Sequence, residues 1–269
     1  MHPNGTRIRF RLRHENEFYT VLPVVILKTA CLTLGRQITR NDMQYFGGKA
    51  RIAKEIVKVL KEYRKEKQTF VEPFCGGLNI TCLMDGNIIA NDFNTELIEL
   101  YKAMKNGWQP PNKVTEDDYE KAKTTTDLKL KAFIGIGCSY SGKWFGGYAR
   151  DGKGRNYALN AKNSLNRKFK YLKNVKFTNK NYNEIDCENC LIYCDPTYKG
   201  TTKYRFGDFN SDMFWDWCRL QSKKGNIVIV SEYSAPEDFK CIWEKETKTD
   251  IRTKLNGKEK RIEKLFTYE

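Results

Sequence analysis

The residues best equipped for chemistry stand where short apolar runs end. Leu191-Ile192-Tyr193-Cys194 leads into Asp195-Pro196-Thr197-Tyr198. A carboxylate, a rigid turn and a flat ring emerge together there. That set suits an exocyclic amine on a nucleobase: acceptors for its N–H groups and a face to stack on. Thr69-Phe70-Val71 leads into Glu72-Pro73-Phe74-Cys75-Gly76-Gly77. The glycine pair lets the backbone turn sharply and come close to a ligand. Ile88-Ile89-Ala90 leads into Asn91-Asp92, with Asp92 twenty residues after Glu72. In nucleotide-binding α/β folds an acid at the end of the second strand hydrogen-bonds ribose hydroxyls. The glycines do not follow G-x-G-x-x-G, so a nucleoside without phosphates fits better than a pyrophosphate cofactor.

A further segment, Tyr45-Phe46-Gly47-Gly48-Lys49, precedes these three. With the four motifs in this order, the chain resembles the Dam-type adenine-N6 DNA methyltransferases over roughly residues 43 to 269. Thr197 departs from that family's second proline, which frees a backbone torsion and restores an N–H at the turn. The resemblance implies S-adenosylmethionine as cofactor. It implies cofactor binding by Tyr45, Gly48, Lys49, Glu72, Pro73, Phe74, Gly76, Asp92, Tyr182 and Asp195. It implies a catalytic set of Asp195, Pro196 and Tyr198, acting on N6 of an adenine flipped out of double-stranded DNA. Restriction–modification is the implied setting, in the cytoplasm of a bacterial or phage-infected cell. Two alternatives stay open: an adenine-N6 RNA methyltransferase, and a DNA-binding relative weakened in catalysis by Thr197.

Composition sets outer limits. The chain of 269 residues suits one domain with an insert better than two equal domains. Its formal net charge is +15; residues 1–42 hold seven Lys/Arg and three Asp/Glu, so +11 remains on the rest. A basic surface fits a polyanion, and it fits a solvated Lys-rich surface as well. Nine cysteines, an odd number set partly in strand-like runs, argue for a reduced compartment rather than a disulfide framework. Cys187, Cys190 and Cys194 have metal-like spacing. The only histidines are His2 and His14, and Cys194 feeds the Asp195 turn, so no metal is expected. The apolar run from Val21 to Leu34, interrupted by Lys28, is too short and charged for a membrane span. Residues 1–42 read as an N-terminal extension, either an appendage or a mis-assigned start, with a basic arm on DNA as the alternative. The partners expected are double-stranded DNA and no membrane, with the protein a monomer or weak dimer on DNA.

The elements that must position the motifs alternate. Apolar residues between Gly48 and Lys65 have helical spacing, as do those over 78–84, 95–104 and 211–222. Strands are expected at 70–74, 88–91, 175–178, 191–194 and 226–230. A last antiparallel pair is expected near 241–247 and 264–268, turning at Asn256-Gly257. This predicts an α/β, Rossmann-like methyltransferase fold: a mostly parallel sheet with an antiparallel C-terminal hairpin. The catalytic domain takes residues 43–111 and 173–269.

Residues 112–172 break the alternation and read as a small, mainly helical recognition insert. Its segment from Cys138 to Arg155 mixes aromatics, glycines and bases, with a hairpin tip at Asp151-Gly152. Lys143, Tyr148, Arg150, Lys153 and Arg155 are the expected DNA-binding residues. Tyr140, Trp144 and Phe145 suit base stacking, and Trp144 and Phe145 equally suit the insert's own core. Lys162, Arg167, Lys168 and Lys170 form a second basic patch, either on DNA or on a solvated helix face.

Overall fold

The computed structural model describes residues 45–196, 209–253 and 257–268. The extension at 1–42, the catalytic candidate Tyr198, Thr197 and the turn residue Asn256 lie outside the described residues.

Seven strands form one sheet: β1 (Phe70–Glu72), β2 (Ile88–Asn91), β3 (Val175–Thr178), β4 (Leu191–Cys194), β5 (Ile227–Glu232), β6 (Phe239–Thr253) and β7 (Gly257–Tyr268). Their order is β3-β2-β1-β4-β5-β7-β6. The first five are parallel, with Phe70 level with both Ile88 and Leu191. β7 runs antiparallel to β5 and pairs with β6. The order reverses between β1 and β4, and a doubly wound sheet opens a ligand crevice at the carboxyl ends of such strands.

Alternation along the strands fills both faces. Leu191 and Tyr193 of β4 belong to one core, while Ile192 and Cys194 belong to the other. The first face is covered by α1 (Ala53–Tyr63) and α2 (Thr95–Lys105), the second by the aromatic-rich α6 (Ser211–Lys223). α1 forms because Ala53, Ile56, Val57, Val59 and Leu60 make one buried stripe. α2 starts where the Asn94 side chain accepts from the Leu97 N–H at 3.1 Å. At α6 the cap is Asn210, its side chain accepting from the Met213 N–H at 3.0 Å.

The helix anticipated over 78–84 is only a 3-10 turn, Thr81–Leu83. Gly76 and Leu78 both have positive φ, 40° and 57°, which interrupts any helix beginning there.

Between α2 and β3 the chain builds α3 (Glu116–Ala122), α4 (Leu128–Ala132) and α5 (Tyr157–Phe169). Their buried residues Tyr119, Ala132, Ala158 and Leu165, with Phe133 and Ile134 of the turn that follows α4, are continuous with the first sheet face. The expected hairpin tip is displaced. Ser139 bridges Tyr148, with Tyr140 N–H on the Gly147 carbonyl at 2.9 Å, so the turn lies between them. Asp151 instead folds its carboxylate onto the N–H groups of Lys153 and Arg155, at 3.0 and 3.1 Å. Trp144 and Phe145 are half-buried against the core, their rings 5.2 Å apart. A Cβ on Gly135 would sit 2.6 Å from the Phe145 ring, so that ring needs a glycine beneath it. Among the described residues no helix is long and apolar enough to cross a membrane.

Candidate active site

At the carboxyl edge the Gly-Gly-Lys segment lies against the β1 loop. Tyr45 covers the glycines: a Cβ on Gly76 would come within 2.9 Å of its ring, and one on Gly77 within 2.8 Å of its Cβ. Gly48 N–H bonds the Tyr45 carbonyl at 2.9 Å. A Cβ on Gly48 would meet the Asn79 amide at 2.7 Å and the Tyr45 carbonyl at 3.0 Å. The loop is fixed from below. Asn91, fully buried, donates to the Pro73 carbonyl at 3.0 Å and to the Lys180 carbonyl at 2.9 Å. Tyr101 of α2 donates its hydroxyl to the Gly76 carbonyl.

Asp92 takes the Gly76 N–H on one oxygen and the Asn94 N–H on the other, both at 2.9 Å. It is therefore no helix cap, since Asn94 fills that role, and it ties the β1 loop to the β2 end. Burial pushes its carboxyl up to about 6, against the pull of those two N–H groups. A ribose diol presented there would find charged acceptors with lone pairs to share. Phe93, immediately after it, is about half exposed and offers a flat apolar face.

Asp195 and Pro196 follow β4, one strand over. Lys49 Nζ lies 3.2 Å from Asp195 and 3.2 Å from Glu263 of β7. Burial alone would lower the Lys49 pKa, but the two carboxylates hold it above its ordinary value. The ammonium thus stands as a counter-charge beside Asp195. Glu72 is 3% exposed and takes a short hydrogen bond from the Thr81 hydroxyl. Burial lifts its carboxyl to about 8, with Asp195 and Asp92 adding repulsion. Glu232, ending β5, is lifted to about 7, again mainly by burial.

Phe74 and Tyr182 are brought together, rings 5.5 Å apart, beside Phe209 and Phe214. This is an aromatic wall on the second sheet face. Among the described residues no group of three or more His, Cys, Asp or Glu is arranged to hold a metal ion.

Two residues at this edge carried no local signal in the sequence. Glu263 reaches Lys49 only because β7 inserts beside β5. Lys168 sits in the basic patch of α5, yet it is buried and its ammonium donates to the Gly77 carbonyl and to Asn79 Oδ1, the latter at 2.9 Å. Its one readable sign was its place among Ser164 and Leu165, which α5 also buries. Lys168→Met would leave both acceptors buried without this donor. Such groups cost about 1–3 kcal/mol each, so denaturant unfolding should show a loss of roughly 2 kcal/mol or more, with weaker cofactor binding by calorimetry. Lys168→Arg should recover part of both. A neutral effect would place no weight on this clamp.

The turn that carries Lys143 touches the Gly-Gly-Lys segment, since the Gly142 carbonyl takes the Phe46 N–H at 3.3 Å. Lys143, Arg150, Lys153 and Arg155 are exposed. Arg150 pairs with Glu116 and lies over the Tyr148 ring, 5.8 Å from its centre. Arg155 lies 3.4 Å from Asp151. Tyr148 is half-buried against Tyr119 and donates its hydroxyl to the Val114 carbonyl at 2.7 Å. The open ring of the turn is Tyr140, 70% exposed.

Fold and site together define an α/β protein whose parallel strands gather carboxylates, with Lys49 among them, at one sheet edge. Residues 45–133 match the family model of the D12 class N6 adenine-specific DNA methyltransferases, which bears out the resemblance read from the motifs. The match includes the Gly-Gly-Lys segment, the Glu72 loop and Asp92; Asp195 lies beyond it. The chain is 28% identical over 218 residues to the type II methyltransferase M.FokI of Planomicrobium okeanokoites. That alignment covers 69% of this chain and 32% of the relative, so the chain spans about a third of the relative's length. The solved structure of PH1948 from Pyrococcus horikoshii aligns with 80% of this chain and 82% of its own, at 10% identity and a TM-score of 0.39.

Proposed function

We propose that the protein transfers a methyl group from S-adenosylmethionine to N6 of an adenine extruded from double-stranded DNA. The observation that carries this reading is the gathering of Glu72, Asp92, Asp195, Glu232 and Glu263 at one sheet edge, with Lys49 among them, in a chain of net charge +15. An acidic crevice in a basic protein suits a cationic nucleoside, while the basic exterior suits a polyanion. The donor set therefore fits the cofactor. Asp92 would bind the ribose hydroxyls, Phe74 and Tyr182 would supply an apolar wall, and Gly76, Pro73, Tyr45 and Gly48 would shape the floor.

When bound, S-adenosylmethionine supplies the activated methyl. The adenine amino group is a poor nucleophile because its lone pair is delocalised into the ring. Asp195 and the Pro196 carbonyl accept its two N–H groups and keep electron density on nitrogen during attack. Lys49 stands beside Asp195 as its counter-charge, and Glu263 keeps Lys49 in place. Tyr198 would stack on the extruded base and hold it in line. No strong base is needed, since the proton leaves readily once nitrogen carries the methyl. On the insert, Lys143, Arg150, Lys153 and Arg155 would meet phosphates or base edges. Tyr140 is better exposed than Tyr148 for stacking.

The test is mass spectrometry of nucleosides from DNA incubated with labelled cofactor. N6-methyladenine is expected; its absence from DNA with label in RNA would move the substrate to RNA. For the cofactor half, Asp92→Ala should weaken calorimetric binding by about 1.5–3 kcal/mol, the worth of a hydrogen bond to a charged group. Unchanged affinity would remove Asp92 from the site.

A further inference from the structure

The antiparallel pair at the sheet edge is much longer than the sheet it joins. β5 pairs with β7 only as far as Glu232 opposite Lys264. β7 continues to Gly257, still paired with β6 as far as Thr253. Because β7 runs against β5, the residues before Lys264 lie beyond the carboxyl ends of the parallel strands. A two-stranded ribbon thus stands past the edge that holds Asp195, with Glu263 at its foot on Lys49. Seven residues from Lys264 to Gly257, at about 3.4 Å each, give it a reach of roughly 24 Å.

Its cross-strand pairing changes character along its length. At the foot, Glu244 faces Lys264 and Lys245 faces Glu263. Further out, Lys248 faces Lys260 and Arg252 faces Lys258. Over residues 245–261 the sequence has seven Lys/Arg and three Asp/Glu. The stretch thus carries four more positive than negative charges, and a polyanion lying along it would meet that excess.

We propose that the ribbon formed by the outer parts of β6 and β7 is a second DNA-binding element, separate from the recognition insert, gripping duplex phosphates beside the extruded base. This rests on the DNA reading above. A base entering the Asp195 turn comes from a duplex lying across the carboxyl edge, where the ribbon stands. A two-stranded ribbon is also an element the major groove admits. Grips of this kind on phosphate fix register and orientation and make affinity depend on salt.

The test uses the full chain with Lys248→Gln, Arg252→Gln, Lys258→Gln and Lys260→Gln combined. DNA affinity is measured against salt concentration, beside calorimetric titration with cofactor and thermal melting without DNA. The salt slope should become shallower by about one unit for each phosphate that the variant no longer neutralises, two or more in all. Affinity at physiological salt should fall about tenfold or more, with cofactor affinity unchanged. The melting midpoint without DNA should stay close to that of the wild type. A slope within half a unit of the wild type overturns the inference, and so does a lowered midpoint, which would show that these cations have partners inside the protein. Wild-type protein that methylates DNA while the slope is unmoved separates failure of the ribbon from failure of the DNA reading. No salt-dependent DNA binding by the wild type overturns both.

Discussion

Asp195→Ala should abolish methyl transfer and leave the fold intact. The side chain is 18% exposed at the end of β4, and its described ionic partner Lys49 keeps a second carboxylate, Glu263, at 3.2 Å. Removing Asp195 therefore does not leave a buried ammonium without a counter-charge, the event that makes such deletions costly to stability. The loss falls on the reaction. One acceptor of the amino group disappears, and with it the electron density held on nitrogen. Positioned acid–base groups contribute about 10²–10⁴-fold to rate, so activity should drop by at least that factor in the mass-spectrometric assay. Melting should stay close to wild type. Asp195→Asn, which keeps an acceptor but loses the charge, should fall between. Full activity in Asp195→Ala would refute the mechanism; inactivity with a collapsed melting curve would make the residue structural instead.

Glu72→Gln should stabilise the protein at neutral pH, with an effect that grows through a defined window. The folded carboxyl titrates near 8 against an ordinary 4.5, chiefly because it is buried. Below about 4.5 the folded and unfolded chains both carry the proton, and burial of the charge costs nothing. Above that the unfolded chain ionises while the folded one holds its proton, so stability is lost as pH rises, until the loss levels off above about 8. Glutamine has no charge to release and keeps an oxygen for the Thr81 hydroxyl. The variant should thus match wild type near pH 4.5 and exceed it by roughly 3 kcal/mol at pH 7. Denaturant unfolding at pH 5 and pH 8 measures this, and an equal gap at both would refute the assignment.

The same substitution bears on binding. A cationic cofactor beside Glu72 favours its ionised form, so wild-type binding near pH 7 should release protons. Calorimetry in two buffers of different ionisation enthalpy detects that release. Glu72→Gln should bind more weakly and release fewer.

Much of the site was legible in the chain. Three apolar runs ending in Glu72, Asp92 and Asp195 could be placed on strands because a strand buried on both faces reads as a continuous apolar run. Their shared edge followed, since parallel strands put all their carboxyl ends on one side. The turn glycines were readable because close backbone approach tolerates no Cβ, as Tyr45 over Gly76 shows. The helix over 78–84 was misread because hydrophobic spacing does not reveal the positive φ of Leu78. Lys168 was grouped with solvated bases because its charge says nothing of the carbonyl it meets 91 residues away.

The sequence by itself determined the α/β alternation, the antiparallel final pair, the Glu72 loop with its glycines, and the acids at the ends of β2 and β4. These depend on local pattern: periodicity, breakers and the residue types at strand ends. Only the tertiary structure decided that Glu263 anchors Lys49, that Lys168 clamps the Gly77 loop, and that Tyr148 is committed to the insert's packing while Tyr140 stands open. It alone set the register in which cations oppose cations beyond the sheet edge. Each of these is a meeting of residues far apart in the chain, and such meetings are settled by how strands pair and faces pack, which the spacing of neighbours does not encode.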